Sequence, residues 1–421
     1  MANKKSNVAA IAIMYFLFFM IAFVTGLQNP MGIIAKAQFG ASNAMSQLGN
    51  LMNFIAYAFL GIPAGLFLKK RGYKVSSLTA VGIGFTGVLV SFLSGVLGNY
   101  WIYLLGALIS GFSMCMLNTI VNPMLNTLGG GGNKGNQLIQ FGGSCNSIGA
   151  TIVPWFCGIL IGNVTESTKI ADVNPALYVA MGVFALAFII ILFSEIPEPE
   201  LEAAKAAGQK VEEEGTLALV GGAFKHRNLV LGIIAIFVYI GVEVGIPNIA
   251  NLYMTSPLAE EGLGLAAGVA GTFVGAYWFL MLVGRLVGGV IGAKVSSRSM
   301  VTTVSLVGIV FLLLAIFLPS TLTITMFKSA VPVSILFMVL CGLCTSIMWG
   351  AIFNLSVEGL GKYTTIASGI FMTMVFGGGV LPVVQGAVAD AMGFINSYWL
   401  IIIYLVYICW FALFGSRVKK A

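Results

Sequence analysis

Long apolar segments recur along the whole chain, and they limit its possible folds more than any other feature. Twelve of them are long enough to cross a bilayer as α-helices, which takes about 20 residues each. Their apolar runs are continuous rather than alternating, which is typical of membrane helices and not of β-barrel strands. Only 8% of the residues are charged, against roughly 25% in soluble domains. We predict membrane helices, called spans one to twelve, at 8–35, 45–67, 76–97, 100–126, 137–162, 176–193, 229–253, 266–293, 299–318, 332–358, 364–389 and 395–415.

The basic residues predict how these spans are oriented. With the predicted spans, 17 of the 21 Lys and Arg residues fall on one side of the membrane. Because cytoplasmic loops are enriched in Lys and Arg, both termini and the loop at 194–228 are expected in the cytoplasm. The net charge of +7 is then an orientation signal, and it does not indicate a nucleic-acid partner. The chain start resembles a signal peptide but lacks an obvious cleavage site, so we interpret it as a retained first span.

The sequence shows no pattern typical of an enzyme or a metal site. All six cysteines lie inside predicted spans. Cys341 and Cys344 have CxxC spacing, but no other Cys or His pair is available to complete a metal site. The single histidine, His226, lies in a loop. We find no nucleotide-binding glycine loop and no nucleophile–base pair in the spans. We therefore predict a protein that is not an enzyme and has no bound metal or cofactor.

A long charged loop divides the chain into two groups of six spans. We predict an N-terminal six-helix bundle at 1–193, a cytoplasmic linker at 194–228 and a C-terminal six-helix bundle at 229–421. The linker is rich in charged residues and helix formers, so we expect it to be solvated and partly helical.

The two predicted bundles also resemble each other in sequence. TIVNPMLNTLG at 119–129 aligns with AIFNLSVEGLG at 351–361. The same spacing separates Gly149, Pro154 and Gly158 in span five and Gly377, Pro382 and Gly386 in span eleven. Duplicated six-helix units are typical of secondary transporters that bind their substrate near the bilayer midplane.

Polar side chains within the spans are the candidates for substrate contact, because such groups are costly in lipid. Asn118 and Asn122 share a helix face in span four, and Pro123 follows them. Amides suit a neutral polyhydroxylated ligand, but they could instead join helices or bond a carbonyl freed by proline. The same alternatives apply to Asn29, which precedes Pro30 in span one. The predicted substrate-binding residues are Asn29, Asn118, Asn122, Gln140, Asn146, Asn248, Asn354 and Tyr57.

Glu243 is the one carboxylate that we place deep within a span. A carboxylate at this depth could carry a proton or bind a cation such as sodium. Arg285 in span eight is its nearest obvious charge partner. The alternative is a static ion pair between Glu243 and Arg285 that holds the C-terminal bundle together.

Several motifs taken together resemble the fucose–galactose–glucose proton symporter branch of the major facilitator superfamily. They are FVTGLQN (23–29), IPAGLFLKKRGYK (62–74), NPMLNTLG (122–129), NSIGATIVP (146–154), YIGVEV (239–244), GRLVGG (284–289), LGKYT (360–364) and GGGVLPVVQGAVAD (377–390). The resemblance implies an all-α membrane protein of twelve transmembrane helices in two halves. It implies import of a hexose by alternating access, with the substrate bound midway between the halves, in a bacterial inner membrane.

The chain departs from this branch where the resemblance implies proton-active carboxylates. Asn29 and Asn118 stand where an Asp in span one and a Glu in span four are expected. An amide does not take up and release a proton, so proton coupling at these two places is not expected. In the loop after span two, Lys69 stands where an acidic residue is usual. In span five the expected Arg, Asn and Gln are replaced by Leu138, Gln140 and Gly143, while Asn146 and Gly149 match.

We therefore predict a secondary transporter that imports a hexose or small saccharide, with Glu243 coupling transport to a proton or a sodium ion. If Glu243 is only structural, the protein would be an uncoupled sugar facilitator. An exporter of drugs or metabolites would have a mainly apolar pocket, and a membrane sugar sensor would carry a cytosolic domain. The expected partners are a small-molecule sugar and the lipid bilayer, without nucleic acid, and we expect a monomer.

Overall fold

The computed structural model describes residues 7–23, 48–161, 169–198, 216–256, 258, 261–265, 267–326 and 329–418. Within the described residues, each of the twelve predicted spans coincides with a helix, with part of one, or with two consecutive helices. The helices are α1 Asn7–Phe23, α2 Leu48–Leu97, α3 Tyr100–Leu128, α4 Gly132–Ile161, α5 Asn174–Phe193, α6 Thr216–Phe224, α7 Arg227–Thr255, α8 Ala267–Ile291, α9 Ser297–Phe317, α10 Val333–Ser346, α11 Met348–Val357, α12 Thr364–Thr373, α13 Gly377–Met392 and α14 Tyr398–Trp410.

Nine helical segments among the described residues are long and apolar enough to cross a membrane. They are Leu51–Leu97, Tyr100–Leu128, Ala171–Phe193, Arg227–Thr255, Val269–Ile291, Ser297–Phe317, Val333–Val357, Gly361–Met392 and Tyr398–Gly415. Asn7–Phe23 is a shorter apolar helix, and the rest of predicted span one lies outside the described residues. The prediction of an all-α membrane protein is confirmed.

Glycine and capping side chains set several helix boundaries. Gly72 has φ 77° and ψ 178°, a conformation that favours glycine, and it separates spans two and three within the long helix α2. The Asn99 side chain caps α3 by accepting a hydrogen bond of 2.9 Å from the backbone amide of Trp101. Ser296 caps α9 in the same way, accepting from the backbone amide of Ser299 at 3.2 Å. These two caps fix the first residues of α3 and α9 at Tyr100 and Ser297.

A short β-hairpin connects α9 and α10, and the sequence analysis does not predict it. Strand β1, Thr323–Met326, pairs antiparallel with strand β2, Ser329–Pro332, and Thr323 lies opposite Pro332. Strands of four residues show too little alternation to be separated from a loop by pattern alone.

The chain forms two compact units, and each unit is built from three separate stretches of the sequence. The first unit comprises Met1–Gly130, Gly142–His226 and Gly359–Thr373. The second comprises Gly131–Phe141, Arg227–Glu358 and Met374–Ala421. The bundles at 1–193 and 229–421, with a linker at 194–228, stay a prediction.

Within the first unit, α12 packs against α2 and α3 at a seam of small residues. A Cβ added at Gly369 would lie 2.8 Å from the Cα of Gly65, closer than real Cβ atoms come. A Cβ added at Gly61 would lie 2.6 Å from the carbonyl oxygen of Gly369. Glycines at these places let the two backbones come into direct contact, as small residues do in membrane helix pairs. We call Gly61, Gly65 and Gly369 the glycine seam.

Within the second unit, α8 packs against the junction of α10 and α11 and against the start of α4. A Cβ added at Gly284 would lie 3.1 Å from the carbonyl oxygen of Leu343. One at Gly289 would lie 2.6 Å from the ring of Phe141. Small residues therefore allow close helix contact in this unit as well.

Candidate functional site

In the first unit, Asn118 and Tyr57 form a buried, uncharged pair that joins α3 to α2. The Asn118 Nδ2 atom donates to the Tyr57 hydroxyl at 2.8 Å and to the carbonyl oxygen of Met114 at 3.2 Å. Asn118 and Tyr57 are each only 7% exposed. Both amide hydrogens of Asn118 are therefore occupied. Within the described part of the chain its Oδ1 atom accepts no hydrogen bond, which leaves an acceptor for a ligand hydroxyl.

Asn122 lies one turn after Asn118 but is directed back to its own helix. Its Nδ2 atom donates to the carbonyl oxygen of Asn118 at 2.8 Å, and its side chain is fully buried. This geometry matches the alternative in which the amide serves the helix backbone. The carbonyl that Pro123 frees belongs to Thr119, four residues earlier. Ser368 on α12 donates to that oxygen at 3.0 Å.

Asn146 and Asn29 are two further predicted binding residues, and the structure describes only the first of them. Asn146 on α4 is half-buried, and its Nδ2 atom donates to the carbonyl oxygen of Phe18 at 3.0 Å. Asn146 thus fixes α4 against α1. Asn29, with its neighbour Gln28, lies outside the described residues, so its role stays a prediction.

In the second unit, Gln140 bonds a carbonyl at a helix interruption. Its Nε2 atom donates at 2.8 Å to the carbonyl oxygen of Ile347, which lies between α10 and α11. Gln140 precedes Gly149 by nine residues, and Ser368 precedes Gly377 by nine residues. Both glycines belong to the spacing shared by spans five and eleven. The two predicted repeats therefore carry a polar donor at the same position, and each donor bonds a carbonyl at a helix irregularity.

Glu243 and Arg285 form an ion pair within the second unit. The Arg285 Nη2 atom lies 3.2 Å from the Glu243 Oε1 atom, and the two side chains are 11% and 12% exposed. The Arg285 Nε atom also donates to the carbonyl oxygen of Ser346 at 3.4 Å. Pairing lowers the cost of two charges in a membrane interior, and it is a common arrangement for intramembrane ions.

Tyr277 also lies beside Glu243, as does Tyr239, whose side chain hydrogen-bonds the Glu243 side chain. The Tyr277 hydroxyl donates at 3.0 Å to the backbone carbonyl oxygen of Glu243, the oxygen that Pro247 leaves without a helical donor. The same hydroxyl lies 3.0 Å from the Thr345 hydroxyl. Tyr277 therefore holds the helix interruption of α7 beside the ion pair.

The remaining predicted binding residues of the second unit differ in exposure. Asn354 is 7% exposed, and its Nδ2 atom donates to the Ser297 hydroxyl at 2.8 Å, which joins α11 to α9. Asn248 is exposed, one residue after Pro247. Binding by either residue stays a prediction, and Asn354 has a structural partner.

Sequence analysis missed three residues: Ser368, which bonds Thr119, Tyr277, which bonds Glu243, and Thr345, which bonds Tyr277. A serine or threonine in a membrane helix gives little signal, because such residues often bond their own helix. The spacing of Pro247 and Glu243 could have indicated that the Glu243 carbonyl needs a donor. Nothing in the sequence indicates that Tyr277 supplies it.

Known sugar transporters are similar in sequence to this chain over nearly its whole length. A glucose/galactose transporter of Brucella abortus is 27% identical over 419 residues, which cover 99% of this chain and 96% of that protein. A putative glucose/galactose transporter of Helicobacter pylori is 27% identical, with 99% of each chain covered. The L-fucose-proton symporter of Escherichia coli is 22% identical, with 95% of this chain and 91% of that protein covered.

Solved structures share the same fold. The crystal structure of the Escherichia coli fucose:proton symporter matches with a TM-score of 0.82 at 20% identity, covering 98% of this chain and all of that chain. The proton:xylose symporter XylE matches with a TM-score of 0.71 at 14% identity, covering 98% and 95%. The Major Facilitator Superfamily profile matches residues 11–382. The resemblance predicted from the motifs is confirmed, and the chain belongs to the Major Facilitator Superfamily, a family of membrane transporters rather than enzymes.

Proposed function

We propose that the chain imports a neutral hexose of the glucose or galactose type by alternating access. The observation that carries the proposal is the buried pair of Asn118 and Tyr57, in which the Asn118 Oδ1 atom keeps an open acceptor position. Relatives named as glucose/galactose transporters, similar over nearly the full chain, support this substrate class.

The chemistry of the pair suits a sugar better than a charged or apolar substrate. A hexose hydroxyl can donate to the Asn118 amide oxygen, and the Tyr57 hydroxyl, which accepts from Asn118, keeps its own hydrogen to donate. Neither group carries a charge that would have to be neutralised by the substrate. A group placed to bond a hydroxyl also disfavours analogues that lack it, because its polar atoms would then stay unpaired.

Coupling is proposed at Glu243 for two reasons. Glu243 is a carboxylate on the membrane helix α7 that is paired with Arg285 on α8, and the Asn118 position has no carboxylate. Protonation of Glu243, or replacement of Arg285 by a sodium ion as its partner, would change the charge balance of the pair. Uncoupled transport is the second candidate, because the ion pair at 3.2 Å also satisfies Glu243 in a static arrangement.

The proposal includes a monomer in a bacterial inner membrane, with both termini in the cytoplasm as the basic residues predict. Transporters of this superfamily require no cofactor, and a coupling proton or sodium ion would be a transported substrate.

The test is uptake of labelled glucose, galactose and fucose into proteoliposomes that contain the purified protein. An inward proton gradient, an inward sodium gradient and no gradient are compared. Accumulation above equilibrium under one gradient identifies the coupling ion, and equilibration without accumulation identifies a facilitator. Absence of uptake for all three sugars would contradict the proposed substrate class.

A further inference from the structure

The start of the predicted linker is bonded to the bend between spans two and three. The two carboxylate oxygens of Glu198 accept hydrogen bonds from the backbone amides of Tyr73 and Lys74, at 2.7 and 2.8 Å. Glu198 is half-buried, and Ile196, two residues earlier, is only 7% exposed. All of these residues belong to the first compact unit.

These amides lie at a point where the helical hydrogen bonding is interrupted. Gly72 has φ 77° and ψ 178°, so the residues that follow it begin a new helical stretch. The first amides of a helix have no partner within the helix, and a carboxylate is favoured there by both its acceptors and its charge. The bend itself carries no acidic side chain. The charged residues around Gly72 are all basic: Lys69, Lys70, Arg71 and Lys74. The carboxylate comes instead from a residue 125 positions after Tyr73.

We propose that Glu198 is a positioning residue for transport, which fixes the bend at Gly72 and thereby the direction of span two. Span two carries Tyr57 and two of the three glycines of the glycine seam, Gly61 and Gly65. A change in the angle at Gly72 would move this helix against α12, whose backbone it contacts directly at Gly61 and Gly65. Glu198 thus ties the linker to the helix that bears a proposed substrate-binding residue.

We call the two hydrogen bonds from Tyr73 and Lys74 to Glu198 the clamp. Hydrogen exchange of the purified full-length protein tests the clamp directly. Glu198→Ala removes both acceptors, so we expect the amides of Tyr73 and Lys74 to exchange about ten-fold faster or more, as for loss of a charge-assisted hydrogen bond. Glu195→Ala is the matched control, because Glu195 is an exposed acidic residue three positions earlier. We expect no change at these amides in the control. Unchanged exchange in Glu198→Ala would overturn the clamp.

Transport kinetics test the positioning role, and this readout rests on the proposed function. We expect Glu198→Ala to lower the maximal rate of hexose uptake several-fold and to leave KM unchanged, because Glu198 bonds backbone amides at the Gly72 bend and not the side chains of Asn118 or Tyr57. Glu198→Gln keeps one acceptor oxygen and should recover part of the rate. Normal rates in Glu198→Ala, or a loss of rate that Glu195→Ala shares, would overturn the positioning role. If the unaltered protein moves no hexose, the proposed function fails, whereas the exchange experiment still decides the clamp.

Discussion

Ser368 Oγ donates a hydrogen bond of 3.0 Å to the carbonyl oxygen of Thr119. Pro123 has no amide hydrogen, so this oxygen has no donor from its own helix. Both residues are fully buried, and they lie 249 positions apart in the chain. A serine of predicted span eleven therefore completes the backbone hydrogen bonding of predicted span four.

The Ser368 contact predicts a specific stability loss. Ser368→Ala leaves the buried Thr119 oxygen without a donor, which should destabilise the protein by about 1–3 kcal/mol. The measurement is the thermal midpoint of the purified protein in detergent. Ser356→Ala is the control, because Ser356 is a buried serine that bonds the Ile352 carbonyl of its own helix at 2.7 Å.

The double variant with Pro123→Ala separates this cause from general packing. Alanine at 123 restores an amide donor for the Thr119 oxygen, so Ser368→Ala should cost less stability in that background. Equal losses in both backgrounds would show that the proline-freed carbonyl is not the reason.

Asn118 and Asn122 should respond differently to truncation. Asn118→Ala removes the open acceptor proposed for a sugar hydroxyl, and the loss of one hydrogen bond should raise KM for hexose roughly 2–10-fold. Asn122→Ala removes an amide that donates to its own helix at 2.8 Å, so KM should stay unchanged. Initial uptake rates over a range of hexose concentrations give both values. A KM increase in Asn122→Ala that matches that of Asn118→Ala would contradict the proposed assignment.

The Glu243–Arg285 pair predicts separate effects on stability and coupling. Glu243→Gln should abolish gradient-driven accumulation and leave sugar exchange largely intact. It should also destabilise the protein by about 3–5 kcal/mol, because Arg285 would lose its buried counter-charge. The double variant Glu243→Gln with Arg285→Gln removes both charges and should recover stability.

Accumulation and thermal midpoint are measured together for the single and double variants. If the double variant is stable and still does not accumulate sugar, Glu243 is the coupling group. Normal accumulation in Glu243→Gln would show that the pair is structural only.

The glycine seam predicts that one methyl group at position 369 is not tolerated. A Cβ there would lie 2.8 Å from Gly65 Cα, so Gly369→Ala should cost about 1–3 kcal/mol through overpacking. Gly386→Ala is the control within the same predicted span, because a Cβ at Gly386 meets nothing within 4 Å. Thermal midpoint and hexose uptake are the measurements. Tolerance of Gly369→Ala in both assays would contradict the close contact.

Sequence analysis placed the spans and the Glu243–Arg285 pair, because both follow from strong physical penalties. Continuous apolar runs of membrane length leave few alternatives to helices. One deep carboxylate and one deep guanidinium leave few alternatives to a partnership, and the two groups lie 3.2 Å apart. By contrast, helical periodicity groups Asn118 with Asn122 on one face but does not indicate which neighbour lies opposite each side chain.

The sequence by itself determined that the chain forms membrane helices and which segments form them, since a helix bonds nearly all of its backbone groups within one apolar segment. Only the tertiary structure decided that Asn118 bonds Tyr57, that Ser368 serves the Thr119 carbonyl and that Glu198 bonds the bend at Gly72. Each of these contacts joins residues far apart in the chain, and several partners would have been chemically adequate for each polar group. The packing of glycine-lined helices selects one partner, because it brings only certain backbone and side-chain atoms within hydrogen-bonding distance.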